Sequence, residues 1–131
     1  MGGQLASDIL EPMPVLRVGK KYSMKSAVWV SYDFGVQGDY EGMYSWLDEH
    51  QAKECGDNLA FLNYEYAGPL LEALASDLKR SVEITKRTRI YVIYREQESK
   101  KMKGSFIFGG RKAAPWSGFA VASAPSKSDE A

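Results

Sequence analysis

The order of strands and helices is the feature of this sequence that most restricts its fold. Residues 27–32 and 89–95 are rich in Val, Ile, Tyr and Trp, a composition that predicts two strands. Between them, apolar residues spaced three and four apart predict one helix after Asp39 and a second that opens at Gly68-Pro69. Gly56-Asp57 predicts the turn of a short hairpin between the helices. The region therefore begins and ends with a strand and encloses two helices and a hairpin.

This βαββαβ order, followed by a further strand at 104–108, predicts an α+β, ferredoxin-like fold. We expect an antiparallel sheet with two helices on one face and an added C-terminal strand or hairpin. If the hairpin arm at 51–55 is not a strand, a helix-covered α+β sheet remains. The domain is expected to span 25–122, with an N-terminal extension at 1–24, partly flexible, and a flexible tail at 123–131.

The extension is either a leader or an added segment, and within it Val15, Leu16 and Val18 predict a short edge strand. It lacks the basic start and apolar centre of a secretory signal. No stretch approaches the ~18 uninterrupted apolar residues that a membrane span needs. We therefore expect a cytoplasmic protein without a membrane partner.

The composition removes several classes of function. The 131 residues include one Cys and one His, so an internal disulfide and a His-rich zinc site are excluded. The sequence contains no phosphate-binding glycine motif and no serine-hydrolase motif. His50 is expected at the surface end of the first helix and Cys55 before a turn, the alternative being a Cys55 nucleophile that works with His50.

Charge is balanced over the whole chain but not along it. The chain has 17 basic and 17 acidic residues, yet residues 26–78 hold ten acids and one Lys. Residues 79–112 hold eleven Lys or Arg and three Glu. Such polarity indicates either a basic surface for nucleic acid or a self-complementary dimer. The alternative is that acidic and basic elements lie side by side and neutralise each other.

The basic segment also carries aromatic residues, a combination that suits phosphate contact and base stacking. The candidate nucleic-acid-binding residues are Arg87, Arg89, Arg95, Lys100, Lys101, Lys103 and Arg111. Alternation along 89–95 places Tyr91 and Ile93 on the sheet face away from the helices, together with Trp29 and Phe61 by parity. An apolar face of this kind favours a partner, so Trp29, Tyr91 and Ile93 are the predicted interface of a homodimer.

Asp33 closes the first strand and is the candidate catalytic and metal-binding residue. A carboxylate in this position suits Mg²⁺, which takes one or two carboxylates and completes its shell with water and phosphate oxygens. Asp39 and Asp57 are candidates to join it after folding. The alternative is structural: Asp33 orders the loop through an Asx turn, and Asp39 caps the helix.

Three short motifs resemble a known group of proteins. Residues 30–34, Val-Ser-Tyr-Asp-Phe, and 38–40, Gly-Asp-Tyr at a helix start, resemble small ferredoxin-like proteins described as SinR-like. Residues 116–119, Trp-Ser-Gly-Phe, resemble a Trp-x-Gly-Phe segment of that group, and the resemblance covers 27–119. The group is similar to the CRISPR-associated adaptation nucleases (Cas-two) and to virulence-associated protein D. In those two families an Asp that closes the first strand lies at the dimer interface and is proposed to bind the metal for phosphodiester cleavage, which implies this role for Asp33.

The charged hairpin at 94–106 and the N-terminal extension depart from the pattern of these families. The leading hypothesis is a nucleic-acid-associated protein with magnesium-dependent phosphodiesterase activity at Asp33. The competing hypothesis is a non-catalytic homodimeric protein-interaction or structural module. Clustering of the cations on one surface would favour the first, and interdigitation with the acids of 26–78 would favour the second.

Overall fold

The computed structural model describes residues 15–16 and 22–122, so the expectations for 1–14, 17–21 and 123–131 lie outside the described residues. The elements in chain order are β1 Val15–Leu16, β2 Tyr22–Asp33, α1 Tyr40–Glu49, β3 Lys53–Gly56, β4 Leu59–Tyr66, α2 Leu70–Ser81, β5 Arg89–Arg95, β6 Met102–Phe108 and the short helix α3 Phe119–Ala122. The predicted α+β class is confirmed.

β2 forms the centre of an open antiparallel sheet whose strand order is β3-β4-β2-β5-β6. β1 pairs with the start of β2, outside this path. Trp29 lies opposite Phe61 of β4 on one side and Ile93 of β5 on the other. The central strand therefore sets the register of its neighbours on both sides.

Several element boundaries differ from the sequence-based expectation. β2 begins at Tyr22 rather than at residue 27, because its first residues find partners in β1 and at the end of β4. The Val15–Leu16 part of the predicted edge strand is confirmed, and Val18 lies outside the described residues. β6 begins at Met102, two residues early, because Met102 pairs with Arg95. Strand pairing across the sheet, rather than local propensity, sets these ends.

Both long helices pack on the same face of the sheet, where a continuous apolar core forms. The alternation predicted for β5 is confirmed, because Ile90 and Val92 are fully buried while Ile93 is exposed. The fully buried side chains of the core are Val28, Val30, Met43, Trp46, Leu62, Leu74, Leu78, Ile90 and Val92. Neither of the two long helices packs on the opposite face, which is called the open face below.

Asp77 of α2 joins the two helices and β4 through hydrogen bonds. Its Oδ2 accepts from Trp46 Nε1 and from the Tyr64 hydroxyl, both at 3.1 Å. The His50 ring follows the end of α1, with Nδ1 2.8 Å from the Trp46 carbonyl and Nε2 3.4 Å from Asp77 Oδ2. Burial and the Asp77 carboxylate raise the pKa of Tyr64. His50 is thus a helix-end residue, as expected, and helps to order the contact between the helices.

Gly42 and Asp39 fix the approach of α1 to α2. A Cβ atom on Gly42 would lie 2.3 Å from the Ser81 carbonyl oxygen, so only glycine permits this close contact. Asp39 caps α1 by accepting from Gly42 N, and it also accepts from Glu83 N beyond α2, both at 2.9 Å. These two hydrogen bonds lower the pKa of Asp39. Asp39 therefore has the structural role that the sequence left as its alternative.

Candidate nucleic-acid interface

Two aromatic pairs dominate the open face. Trp29 of β2 and Phe61 of β4 meet at its centre, with their ring centroids 4.9 Å apart. Tyr91 of β5 and Phe106 of β6 form an edge-to-face pair at 4.8 Å. Ile93 lies beside Trp29 and is 39% exposed. The three residues predicted as a dimer interface, Trp29, Tyr91 and Ile93, therefore share one surface.

Arginine side chains cover the second aromatic pair. The Arg111 guanidinium lies 5.5 Å from the Tyr91 ring centroid and 5.6 Å from that of Phe106. The Arg89 guanidinium lies 5.4 Å from the Phe106 centroid. Distances below about 6 Å are those of favourable cation–π contacts. These contacts hold two cations over the rings at one end of the open face.

Two glycines allow this arrangement. A Cβ on Gly104 would lie 2.1 Å from the Tyr91 hydroxyl oxygen, so the absence of a side chain lets Tyr91 extend across β6. Gly109 has φ +75°, a left-handed backbone that favours glycine, where the chain leaves β6. The Gly110 carbonyl then accepts from Arg89 Nε at 3.0 Å. The chain after β6 is thereby directed back over the open face, which brings Arg111 onto the rings.

Asp33 is held by its own chain. Its Oδ2 accepts from Arg89 Nη1 at 3.0 Å and lies 3.8 Å from Lys112 Nζ, while its Oδ1 accepts from Gly35 N at 3.2 Å. The Gly35 N–H, followed by the Lys112 and Arg89 charges, lowers the pKa of Asp33 despite some opposing desolvation. Asp33 is therefore an ionised acceptor beside two cations, and the Gly35 contact is the expected loop-ordering bond.

The family resemblance implies Mg²⁺ at Asp33, and the residues of one chain do not fit that ion. Asp39 is occupied as the cap of α1. Across residues 15–16 and 22–122 no three His, Cys, Asp or Glu side chains form a cluster, so Asp33 alone would supply the carboxylate of a Mg²⁺ site. The cations beside Asp33 also oppose a divalent ion there. The catalytic and metal-binding roles of Asp33 stay predictions that need a second source of ligands.

Asp33 and Arg89 form one wall of a shallow hollow in the open face. The hollow encloses about 250 Å³ and is lined by Ser31, Asp33, Arg89, Tyr91, Phe106 and Arg111. It is smaller than the roughly 300–1,000 Å³ typical of sites for drug-sized ligands. It combines one carboxylate, two guanidinium groups and two aromatic rings, which suits a single flat, polar group.

The seven predicted nucleic-acid-binding residues do not all lie on this face. Arg89, Arg95 and Arg111 do, as the β5 register and the ring contacts place them. Lys100 and Lys101 belong to the turn between β5 and β6, whose Lys100 carbonyl accepts from Arg95 Nε at 3.2 Å. The remaining two lie elsewhere.

Lys103 pairs with Glu96, its Nζ 3.2 Å from Oε1, and lies opposite Tyr94 on the helix side of the sheet. Arg87 lies in the loop before β5 and lines a separate hollow with Phe34 and Gly38. Conversely, Lys25 and Lys53 share the open face by register, with Glu65 and Phe61 opposite them. Sequence position alone could not group these two lysines with the basic segment, because only strand pairing brings them there.

The charges are partly segregated between the two sides of the sheet. Of the ten acids in 26–78, only Asp33 and Glu65 lie on the open face by register. The other eight lie on α1 and α2, at the α1 cap or in the β3–β4 hairpin. Lys25, Lys53, Arg89, Arg95 and Arg111 belong to the open face by register or ring contact, so cations outnumber acids there.

Comparison of the chain with models of protein families, with curated proteins and with solved structures finds no match in any of the three. Among the helices of the described residues, none is both long and apolar enough to cross a membrane.

Proposed function

We propose that the open face binds single-stranded nucleic acid. The observation that carries the proposal is the pair of aromatic clusters, Trp29–Phe61 and Tyr91–Phe106, on a sheet face that the two long helices leave uncovered and that cations surround. Bases stack on such rings without regard to sequence, and arginine and lysine contact the phosphates between them. The face presents the two kinds of group that a single strand needs.

The geometry of the sheet gives each cluster room for a base. Trp29–Phe61 spans β4 and β2, and Tyr91–Phe106 spans β5 and β6. Adjacent strands lie about 4.8 Å apart, so the two clusters are separated by roughly two strand spacings, about 10 Å. A flexible oligonucleotide of a few nucleotides can reach both aromatic clusters. Arg95 and Lys53, toward the margins of the face, then contribute charge to the phosphates.

We assign the sheet to the ferredoxin-like class because β3-β4-β2-β5 is antiparallel throughout, with the β3–β4 hairpin at one edge and both long helices on one face. RNA-recognition modules with a four-stranded sheet also stack bases on aromatic residues of the sheet. That parallel supports the proposal only as an analogy, because one fold hosts many functions.

We propose binding without cleavage by a single chain. Asp33 is bonded to Arg89 and Gly35, and the described residues that line its hollow include no second carboxylate to hold a metal with it. Cleavage in the manner of the Cas-two family would need a second copy to bring its own Asp33 close. The proposed setting remains the cytoplasm.

Fluorescence anisotropy with a labelled 12-nucleotide oligo-U, read between 50 and 200 mM salt, tests the proposal. We expect log affinity to fall linearly with log salt, by about 0.7 for each phosphate contact. Arg95→Gln should reduce that slope by about 0.7, while Arg87→Gln, an equal change of charge outside the open face, should leave it unchanged. Absence of binding at 50 mM salt, or equal effects of the two variants, would refute the proposal.

The second candidate is the homodimer expected from the sequence, favoured by the 39% exposure of Ile93 beside Trp29. The same rings cannot stack on bases and pack against another copy at once. Sedimentation velocity with and without oligo-U separates the two occupants. We expect the oligonucleotide to bind a species of one chain, whereas a dimer that excludes oligonucleotide would favour the second candidate.

A further inference from the structure

The hollow at the Asp33 end of the open face has a fixed order of hydrogen-bonding groups, and the inference drawn from it rests on the proposed nucleic-acid binding. Asp33 is anchored through Gly35 N and Arg89 Nη1. Arg89 is anchored in turn through Asp33, the Gly110 carbonyl and the Phe106 ring. The carboxylate and the guanidinium therefore lie side by side in one orientation before any ligand arrives.

Both groups keep capacity for a ligand. An ionised carboxylate offers about four lone-pair sites, and each Asp33 oxygen accepts one short hydrogen bond from its own chain. The Asp33 side chain is 45% exposed. Arg89 donates from Nη1 and Nε, and among the described residues nothing accepts from its Nη2 group. The hollow thus presents two acceptors followed by a donor.

We propose that this hollow binds one guanine base. The Watson–Crick edge of guanine presents two donors, the exocyclic amino group and N1–H, followed by the O6 acceptor. Asp33 accepts from both donors and Arg89 donates to O6, while the base plane stacks on the Arg111 guanidinium that lies over Tyr91 and Phe106. Guanine alone among the common bases has this donor, donor, acceptor order.

The other ligands that single-stranded nucleic acid offers fit less well. Uracil presents a single donor between two acceptors, so one Asp33 oxygen would face a carbonyl oxygen. Adenine lacks the carbonyl oxygen that Arg89 would contact. The oxygens of a phosphate diester only accept hydrogen bonds, so a phosphate in the hollow would give the Asp33 carboxylate no donor. Cations toward the margins of the face, such as Arg95 and Lys53, are better placed to bind the phosphates.

Oligonucleotide chemistry tests the inference without changing the protein. Anisotropy compares a nine-nucleotide oligo-U that carries one central guanosine with the same oligomer carrying inosine, which lacks only the exocyclic amino group. We expect guanosine to bind more tightly by about 5- to 150-fold, the range found for a well-formed bidentate base contact. Equal affinity for the two oligomers would overturn the inference.

Protein variants locate the effect. Asp33→Asn should bring the guanosine-to-inosine ratio close to one, while Glu65→Gln, an equal change of charge on the same face, should keep it. Circular dichroism melting checks that both variants fold. If Asp33→Asn fails to fold, the comparison of the two oligomers on the wild-type protein still tests the inference. A ratio that persists in folded Asp33→Asn would overturn the inference.

The two proposals fail in different ways. Salt-dependent binding of oligo-U with no preference for guanosine would leave the proposed function standing and remove the guanine site. Failure of every oligomer to bind at 50 mM salt would remove both.

Discussion

Replacing Trp29 with Leu should weaken the binding of single-stranded nucleic acid without changing its dependence on salt. Trp29 lies at the centre of the open face, paired with Phe61 and half-buried, so its ring is available to one base. Removing an aromatic ring that stacks on a base costs about 1–3 kcal/mol, which corresponds to about 5- to 150-fold in affinity. Leu keeps an apolar side chain in the sheet and removes only the stacking surface.

The slope of log affinity against log salt should stay unchanged, because the substitution removes no charge. Tyr44→Leu is the matched control, since Tyr44 is an exposed aromatic residue of α1 on the other side of the sheet. Loss of the ring pair with Phe61 should lower the free energy of unfolding by roughly 0.5–1.5 kcal/mol. We therefore expect the melting temperature to fall by a few degrees. Anisotropy with oligo-U provides the assay. A folded Trp29→Leu protein that binds within twofold of wild type would refute the stacking role.

Three further predictions concern the scaffold. Gly42→Ala should lower the melting temperature although Ala favours helices by about 1 kcal/mol, because the new Cβ would lie 2.3 Å from the Ser81 carbonyl; a higher melting temperature would contradict the close-contact role. Asp77→Ala should destabilise the fold by about 1–3 kcal/mol in chemical unfolding, because Trp46 Nε1 loses its acceptor in a site where Trp46 is 1% exposed, and Asp77→Asn should recover much of the loss. Two hydrogen bonds lower the pKa of Asp39 from its ordinary value of 3.8. The stability that the Asp39 carboxylate gives to the fold is therefore fully present above pH 3.8 and is lost as the pH falls through the lowered pKa of the folded state. The loss of folding stability that Asp39→Asn causes at pH 7 should therefore become smaller below about pH 4. A loss of stability that does not depend on pH would count against the cap.

The sequence predicts the open face well because alternation along a strand depends only on its own residues. Parity along 89–95 predicts that Tyr91 and Ile93 lie on the face away from the buried Ile90 and Val92, as they do in the structure. Parity cannot set the register between strands that are distant in sequence. The contacts of Trp29 with Phe61, and the presence of Lys25 and Lys53 on the face, follow from pairing across β2 and β4 and across β3 and β4.

The environment of Asp33 was harder to predict, because its partners come from other parts of the chain. Arg89 is 56 residues away, and Lys112 reaches the carboxylate only after the chain turns at Gly109. Composition gives the charge of the basic segment, but it does not separate Arg111 on the rings from Lys103 on the helix side. The sequence does not reveal why residue 104 is a glycine, because the reason is the Tyr91 side chain that lies against it from the paired strand.

Photo-crosslinking tests the central claim most directly, because it locates the bound strand on the protein surface. An oligo-U that contains 4-thiouridine is irradiated with the wild-type protein, and the modified residues are identified by peptide mapping. Trp116 is 73% exposed and Trp29 is much less exposed, so contact governed by exposure alone would favour Trp116. We expect adducts on Trp29, Phe61, Tyr91 or Phe106. Adducts confined to Trp116 or to Tyr44 on α1 would contradict binding at the open face.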